Sequence, residues 1–311
     1  MKKNSFFIKF LFTSGLLLIL IGLIILRQDD IVTIIHNYIN PKSSAVTLGE
    51  KNSYYRDYDF TFVKNTDDFS PKGYQDILNI YYTAINAGKN EFTFYCPNEY
   101  DECLNDIQRL ANDQTLLSDI NNYVHPFNGF SHIETEYDSL GRVSIRIMKT
   151  YKENEIQEIE KKVDELYSQL VNPASSIENN IMSIHDYIIN NSKYDSDRSD
   201  NNIINYKSNI AYGPLFEGHA ICGGYTDLME LFLEKMNVKS FKISSDDHVW
   251  NAVFINNNWY HLDLTWDDPV SKDGKDYLEH NYFLIDTKQL LSIEKTQHQF
   301  STLSYPELKE A

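Results

Sequence analysis

The chain has few cysteines and few basic residues for its length. Of its 311 residues, three are cysteine, 28 are Lys or Arg and 45 are Asp or Glu, so the formal net charge at pH 7 is −17. Nucleic-acid binding draws on clusters of Lys and Arg that contact phosphates, and such clusters are absent. The composition therefore argues against nucleic acid as a partner. An acidic surface is most simply a solubility feature and identifies no substrate.

Sequence signatures of metal sites and of repeats are also missing. No CxxC or HExxH pairing is present, whereas structural zinc usually takes four ligands with short paired spacings. The acidic stretch with Asp267, Asp268, Asp273 and Asp276 does not match the twelve-residue calcium loop with its closing Glu. Repeats and low-complexity tracts are absent. We therefore predict no metal site and no other cofactor.

A long uncharged segment lies near the N-terminus. Residues 10–26 are mostly Leu, Ile, Phe and Gly, with Lys2, Lys3 and Lys9 before them and Arg27 directly after. The apolar region of a secretory signal spans about 7 to 15 residues, whereas about 17 to 25 apolar residues cross a membrane. The segment therefore predicts an uncleaved single-pass anchor, and the excess of lysines before it places the rest of the chain outside the cell. A cleaved signal peptide is the alternative and predicts the same compartment.

Three residues near the C-terminal end carry the chemistry. Cys222, His248 and Asp263 follow one another as a nucleophile, a base and an orienting carboxylate. A thiol is only a few per cent thiolate at neutral pH, so nucleophilic catalysis needs an imidazole that takes the proton and a third group that orients the imidazole. Alone, each of these residues is more often a packing or capping residue. Together they predict a cysteine active site without a cofactor.

The residues after the cysteine predict a helix. Tyr225, Leu228, Met229 and Phe232 recur at helical spacing, so Cys222 lies at a helix N-terminus. The unpaired amide groups and the dipole at such an end favour a thiolate. The same amides could stabilise an oxyanion.

A hairpin is predicted downstream. Residues 249–255 and 259–265 are rich in aromatic and β-branched types, and Asn256 with Asn257 supplies a two-residue turn between them. The first strand begins directly after the histidine of the proposed active site. The second strand contains the aspartate.

The register of this hairpin brings the imidazole and the carboxylate together. If Ile255 pairs with Asn258, His248 lies opposite Thr265, and Asp263 lies one diagonal step away on the same face. A diagonal contact is within hydrogen-bonding reach of these side chains. A slip by one residue would change the geometry, so the predicted contact depends on this pairing.

Several sequence blocks in the same order resemble the bacterial transglutaminase-like superfamily. The resemblance covers roughly residues 175–300 and rests on 184–188, 193–195, 211–215, 222–225, 248–251, 259–269 and a strand-like 282–283. It implies a papain-like α+β core, with helices packed on an antiparallel sheet, and a triad of Cys222, His248 and Asp263. Members of the superfamily include protein cross-linkers, peptidases, amidases and catalytically silent scaffolds, so the resemblance does not fix the reaction.

Other residues are predicted to support the site. The Cys222 amide, with Tyr212, is a candidate for stabilising an oxyanion. Tyr225, Trp250 and Trp266 are candidates for a substrate groove, although buried core aromatics would give the same pattern.

The remaining histidines are weaker candidates. His219 is a conceivable second base, but it precedes the helix and a structural or substrate-rim role is favoured. His261 shares a face with the aspartate and is predicted to pack beside Trp259. His280 and His298 have no partner that the sequence identifies.

Two of the three cysteines are close in sequence. In an oxidising exterior an odd count leaves one free thiol, and a bridge between Cys96 and Cys103 would leave Cys222 available. Two buried free cysteines would give the same sequence, so both alternatives stay open.

The residues before the catalytic region follow an α/β pattern. Periodicity predicts helices at 76–87, 104–122 and 153–171 and strands at 91–95, 131–137 and 142–149. Pro173 ends the last of these helices, and Ser175 with Glu178 forms a capping-box pattern that opens the next. We therefore predict four segments, namely an anchor (1–27), a juxtamembrane stalk with a first strand near 58–63 (28–70), an N-terminal α/β domain of unknown role (71–173) and a transglutaminase-like catalytic domain (174–311).

The predicted function is cysteine-dependent acyl transfer outside the cell. The substrates are amide bonds of peptides or proteins at the cell surface, and the acyl group passes to an amine in cross-linking or to water in hydrolysis. The alternative is a non-enzymatic surface scaffold that keeps the fold for binding.

Overall fold

The computed structural model describes residues 27, 46–270, 277–294 and 296–309. The predicted anchor at 10–26 lies outside this part of the chain. Within the described ranges, no helix combines the length and the apolarity that a membrane span requires. The fold is mixed α/β with antiparallel sheets, as predicted for the class.

The N-terminal region is a small sheet with helices on it. Its elements are α1 (Tyr74–Asn86), β1 (Glu91–Tyr95), α2 (Cys103–Asn112), α3 (Gln114–Asn121), β2 (Phe130–Tyr137) and β3 (Arg142–Lys149). The strand order is β1-β3-β2, and both pairs are antiparallel. Alternate residues of β1 are buried, as expected of a strand with one face on the core.

The single helix predicted over 104–122 is two helices. Asp113 ends α2 and becomes the N-cap of α3, where its carboxylate accepts a hydrogen bond from the amide of Leu116 at 2.9 Å. Asp is a favourable N-cap when its backbone is non-helical. This local hydrogen bond outweighs the apolar periodicity that predicted one continuous helix. Cys96 and Cys103 are joined by a disulfide that connects the end of β1 to the start of α2.

The C-terminal region contains the longer helices and a second sheet. Its elements are α4 (Glu153–Leu170), α5 (Ile177–Asn190), β4 (Lys193–Tyr194), α6 (Ser196–Asn201), a π-helical turn (Gly213–Glu217), β5 (His219–Ala220), α7 (Cys222–Lys235), β6 (Ser240–Ser244), β7 (Val249–Ile255), β8 (Asn258–Leu262), α8 (Leu264–Asp267), α9 (Thr287–Ile293) and a 3₁₀ turn (Pro306–Leu308). Strands β6, β7 and β8 form an antiparallel sheet in that order, and β4 pairs with β5 in parallel.

The predicted hairpin is present with its predicted turn. Ile255 pairs with Asn258, and the two connecting residues Asn256 and Asn257 have φ of 53° and 65°. Two positive φ values define the tight turn that matches the twist of paired strands, and Asn tolerates them better than other non-glycine residues. The strand expected at 282–283 is absent, and a single bridge between His261 and Ile285 stands in its place.

The apolar cores do not divide at residue 173. Helix α4 packs with α5 and α7 in one core, while Phe241, Ile243 and Trp250 of the second sheet pack with α1 and the first sheet in the other. The second sheet therefore contacts both regions. The described part of 174–311 shares its core with the residues before it.

The segment before α1 is packed against the body of the protein. The strand predicted near 58–63 is not formed, since these residues have no strand pairing. Phe60, Val63 and Phe69 are nevertheless buried, at 3%, 0% and 2% exposure. The stalk prediction therefore fails for residues 46–70, because burial of their large apolar side chains holds this segment on the core.

A buried ion pair ties this segment to α7. The Arg56 guanidinium lies 2.6 Å from Glu230, with both side chains fully buried, and also donates to the carbonyls of Tyr123 and Ser240. Glu230 accepts further hydrogen bonds from Ser240 and Asn251. The helix that begins at Cys222 is therefore fixed by an arginine more than 150 residues away in the sequence.

Removing this arginine is expected to cost substantial stability. Arg56→Met leaves the buried Glu230 carboxylate without its charge partner, and breaking a buried pair typically lowers the free energy of unfolding by about 3–5 kcal/mol. Urea unfolding of the purified chain measures the change. Arg146→Met is the matched control, because its ion pair with Glu134 is about half exposed and is expected to contribute under about 1 kcal/mol. Equal losses in the two variants would contradict the prediction.

Candidate active site

Cys222 is the first residue of α7. Ile221 before it is extended, and the next two residues are glycines that lie against backbone carbonyls. A Cβ at Gly223 would lie 2.7 Å from the oxygen of Asn209, and one at Gly224 would lie 2.3 Å from the oxygen of Ser208. Only glycine fits this close approach, so the sequence pattern fixes the path that presents the cysteine. The thiol is free and its residue is partly exposed.

His248 and Asp263 meet at the edge of the second sheet. The Nε2 atom of His248 lies 2.6 Å from Oδ2 of Asp263, and both side chains are buried. The other carboxylate oxygen accepts hydrogen bonds from the amides of Thr265 and Trp266 at 2.9 and 3.3 Å, so Asp263 is also the N-cap of α8. The carboxylate is held in place by backbone amides while it binds the imidazole.

The predicted contact between His248 and Asp263 is present, but the strand pairing that was expected to produce it ends before these residues. Pairing of β7 with β8 ends at Asn251 and Leu262, and the chain turns into α8 directly afterwards. Thr265 is therefore in a helix and does not lie opposite His248. The contact forms because the capping turn at Asp263 directs its side chain back toward the histidine.

The charges of the pair stabilise each other. Burial opposes a proton on His248, but the charge and hydrogen bond of Asp263, followed by those of Cys222, outweigh it and raise the pKa of His248 to about 10. Burial likewise opposes ionisation of Asp263, and its two histidine neighbours outweigh that effect and lower the pKa of the carboxyl well below its usual range. The sulfur of Cys222 is thus a direct neighbour of the imidazole, and the resting imidazole is protonated beside the Asp263 carboxylate.

This imidazolium makes the stability of the protein dependent on pH. Because the pKa of His248 is raised on folding, its contribution is fully present below the unfolded value of about 6.5 and is lost as the pH rises through about 10. We expect the free energy of unfolding to fall over this window, and to fall less steeply in His248→Gln. Urea unfolding at pH 6, 8 and 10 measures both slopes. Parallel slopes would contradict the assignment.

A second imidazole contacts the same carboxylate. Nε2 of His298 lies 2.8 Å from Oδ2 of Asp263, and its Nδ1 lies 3.0 Å from Glu294. A neutral imidazole has one N–H, so both contacts are hydrogen bonds only when His298 is protonated. His298 is fully buried between the two carboxylates.

The sequence does not identify Asp263 as the partner of His298. Thirty-five residues separate it from Asp263, and no periodic pattern connects them. The only local signal is Glu294 four residues before His298, which does not identify Asp263 as the partner.

Two of the predicted groove aromatics are core residues. Tyr225 and Trp250 are each 1% exposed, so they cannot line a groove open to solvent, and that prediction is wrong. The Tyr225 hydroxyl donates to Asp268. The Trp250 indole stacks on the His248 ring at 5.5 Å and donates to Nδ1 of His261 at 2.9 Å. Trp266 is partly exposed and contacts the His298 ring.

The indole bond also determines the state of His261. Nδ1 of His261 accepts the hydrogen bond from Trp250, so the single proton of the neutral imidazole lies on Nε2. This nitrogen contacts the Thr287 hydroxyl at 2.9 Å. Burial lowers the pKa of His261 to about 3. This histidine is therefore a neutral residue of the hairpin that packs against Trp250 and Phe300.

Tyr212 and His219 are engaged in local contacts. The Tyr212 hydroxyl donates to Glu158 at 3.2 Å, and Lys207 lies over its ring. Its role in stabilising an oxyanion stays a prediction. His219 stacks on Tyr206 with 3.8 Å between ring centres, which agrees with a structural role for this histidine.

Comparison with known proteins identifies a domain within the chain. Residues 161–295 match the family model described as DUF553, transglutaminase-like domain. This part of the chain is therefore similar to transglutaminase-like domains, in agreement with the resemblance inferred from the motifs. No protein with a curated description matches the chain.

Two solved structures share distant similarity with it. A structure of a TGase aligns at 12% identity with a TM-score of 0.32 and covers 47% of each chain. A proposed cysteine protease from Cytophaga hutchinsonii aligns at 15% identity with a TM-score of 0.28 and covers 43% of this chain and 61% of that one. The alignments thus span about half to three fifths of the solved chains.

Proposed function

We propose that the protein is a cysteine acyltransferase that acts on peptide or protein amides through Cys222, His248 and Asp263. One observation carries the proposal. The same imidazole, that of His248, contacts the helix-capping carboxylate of Asp263 through one nitrogen and neighbours a free cysteine at a helix N-terminus. Nucleophile, base and orienting group in mutual reach are the elements of covalent acyl transfer.

The first half of the reaction forms a thioester. The Cys222 sulfur attacks the carbonyl carbon of the amide, and the carbonyl electrons move to the oxygen, where amide groups at the start of α7 can stabilise the negative charge. The electrons return as the C–N bond breaks. His248 donates its proton to the departing nitrogen, so an amine or ammonia leaves and the acyl group stays on sulfur.

The second half returns the enzyme to its starting state. An amine or a water molecule attacks the thioester carbon, His248 takes its proton, and the thiolate departs from the acyl group. Asp263 keeps the imidazole oriented and compensates its charge in both halves. An amine acceptor gives cross-linking, and water gives hydrolysis.

The test is to follow both products from the purified full chain. A peptide mixture with side-chain and backbone amides is incubated with a labelled primary amine, and mass spectrometry quantifies labelled peptides, hydrolysed peptides and the acyl adduct on Cys222. Any of these products, absent from Cys222→Ala, supports the proposal. A chain that forms no adduct or product, yet binds the same peptides, supports the surface scaffold instead.

We also propose that the domain acts outside the cell. The apolar segment 10–26 with its basic flank supports this location, as does the Cys96–Cys103 disulfide, because disulfides persist in oxidising compartments. Protease added to intact cells is expected to degrade the domain. Protection until the membrane is lysed would reverse the topology.

A further inference from the structure

A second histidine cluster lies apart from the proposed triad. His185 and Asp186 are neighbours on α5, and His280 lies on the segment that follows α8. Nδ1 of His185 and Nε2 of His280 approach the same carboxylate oxygen of Asp186, at 3.0 and 2.8 Å. The three candidate ligand atoms all lie within 4.8 Å of one another. Two imidazole nitrogens therefore approach one carboxylate oxygen, and all three atoms are close enough to share a ligand.

The far side of His185 is held by another carboxylate. Its Nε2 lies 3.2 Å from Oδ2 of Asp267, and neither side chain is exposed. If Nε2 carries the single proton of a neutral imidazole, Nδ1 presents a lone pair toward the Asp186 oxygen. Two lone pairs at 3.0 Å repel unless a cation or a second proton lies between them. A carboxylate behind a histidine is the arrangement that orients metal-ligating imidazoles.

The third ligand is positioned by the same aspartate. The backbone oxygen of Asp267 accepts from the Glu279 amide at 2.8 Å, and its Oδ1 accepts from the Tyr282 amide at 3.0 Å. These bonds fix the backbone on both sides of His280. Phe283 packs edge-on against the rings of both His185 and His280. The cluster thus has a supporting shell that restricts both imidazoles, as a preorganised site requires.

We propose that His185, Asp186 and His280 bind a divalent transition-metal ion of the zinc class. Two imidazoles and one carboxylate suit Zn²⁺, Co²⁺ or Ni²⁺, whereas Mg²⁺ and Ca²⁺ prefer oxygen ligands. The Asp186 and His280 side chains are 34% and 40% exposed, which gives the ion an entry path and leaves a position for water. The proposal is independent of the proposed acyl transfer and contradicts the prediction, made from spacing alone, that no metal binds.

The site would brace the turn that carries the proposed catalytic aspartate. The Asp267 amide donates to the backbone oxygen of Asp263 at 3.2 Å, and the Tyr282 carbonyl accepts from the Asp263 amide at 3.1 Å. A metal ion would therefore connect α5 to both segments that flank this turn. The other histidine cluster, His248 and His298 on Asp263, is buried throughout and lacks such an entry path.

The test is metal binding to the full chain after treatment with a chelator. Co²⁺ titration followed by visible absorption, with Zn²⁺ competition by calorimetry, is expected to show one site per chain. His280→Ala and Asp186→Asn should each weaken binding at least about 10-fold. His132→Ala, which removes an exposed histidine on β2, and Cys222→Ala should leave it unchanged.

Three outcomes would overturn the site. Binding that survives His280→Ala but is lost in Cys222→Ala would place the ion at the triad. Loss of binding in His132→Ala alone would indicate a surface site. The absence of saturable binding would mean that His185, Asp186 and His280 form a hydrogen-bonded cluster without a metal ion. Because each readout is metal binding, none depends on acyl-transfer activity.

Discussion

Cys222→Ala is expected to reduce acyl transfer to the background rate, a loss of at least about 10⁴-fold, because no other group can form the covalent intermediate. The remaining two cysteines are joined to each other, so neither supplies a substitute thiol. The variant should keep its fold, since the residue is partly exposed at a helix end and alanine is a good helix former. Product formation under saturating amine measures the loss, and thermal unfolding checks the fold.

Two histidine variants, compared by alkylation rate, distinguish a thiol that His248 activates from a thiol that is only accessible to the probe. A haloacetamide probe at pH 6 is expected to alkylate Cys222 faster than it alkylates the denatured, reduced chain, and His248→Gln should remove this acceleration. His219→Gln is the control, because His219 lies three residues before the cysteine yet stacks on Tyr206. Equal rates for His248→Gln and the unsubstituted chain would contradict the role of His248. Activity retained by Cys222→Ala would contradict the whole mechanism.

Local sequence patterns predicted the parts of the site that depend on local chemistry. The helix at Cys222 follows from its apolar spacing, and the hairpin turn follows from Asn256 and Asn257, which tolerate positive φ. Both features are decided within a few residues. The carboxylate partner was also identified, although through a pairing that ends before Asp263 is reached.

The features that were missed depend on contacts between distant segments. His298 reaches Asp263 because the chain after α9 returns to the second sheet, and no local pattern predicts that path. Trp250 is an aromatic residue of the type that lines substrate grooves. Its indole instead donates a hydrogen bond to His261 on the neighbouring strand, and the ring is buried. Arg56 lies in a segment without regular structure. Its contribution to stability depends on the ion pair with Glu230, which the sequence does not predict. Tertiary packing decides all three, and helical or strand periodicity carries no information about it.

Asp263→Asn is expected to lower acyl transfer by about 10³- to 10⁴-fold while keeping the α8 cap. One carboxylate oxygen caps the helix through the amides of Thr265 and Trp266, and Asn caps as well as Asp. The other oxygen accepts from both His248 and His298. With the cap kept, an NH₂ group takes that place, so both imidazoles lose a hydrogen-bond acceptor and His248 loses a buried counter-charge.

The pH profile distinguishes this loss from general damage. Asp263 is the main group that raises the pKa of His248, so Asp263→Asn should move the alkaline limit of the remaining activity, and of the stability contributed by His248, to lower pH. Asp113→Asn is the control, because Asp113 caps α3 through the Leu116 amide in the N-terminal region and should change neither activity nor profile. Activity of Asp263→Asn within about 10-fold of the unsubstituted chain would contradict the orienting role. Stabilising the wrong tautomer of the catalytic imidazole is by itself enough to cause a far larger loss.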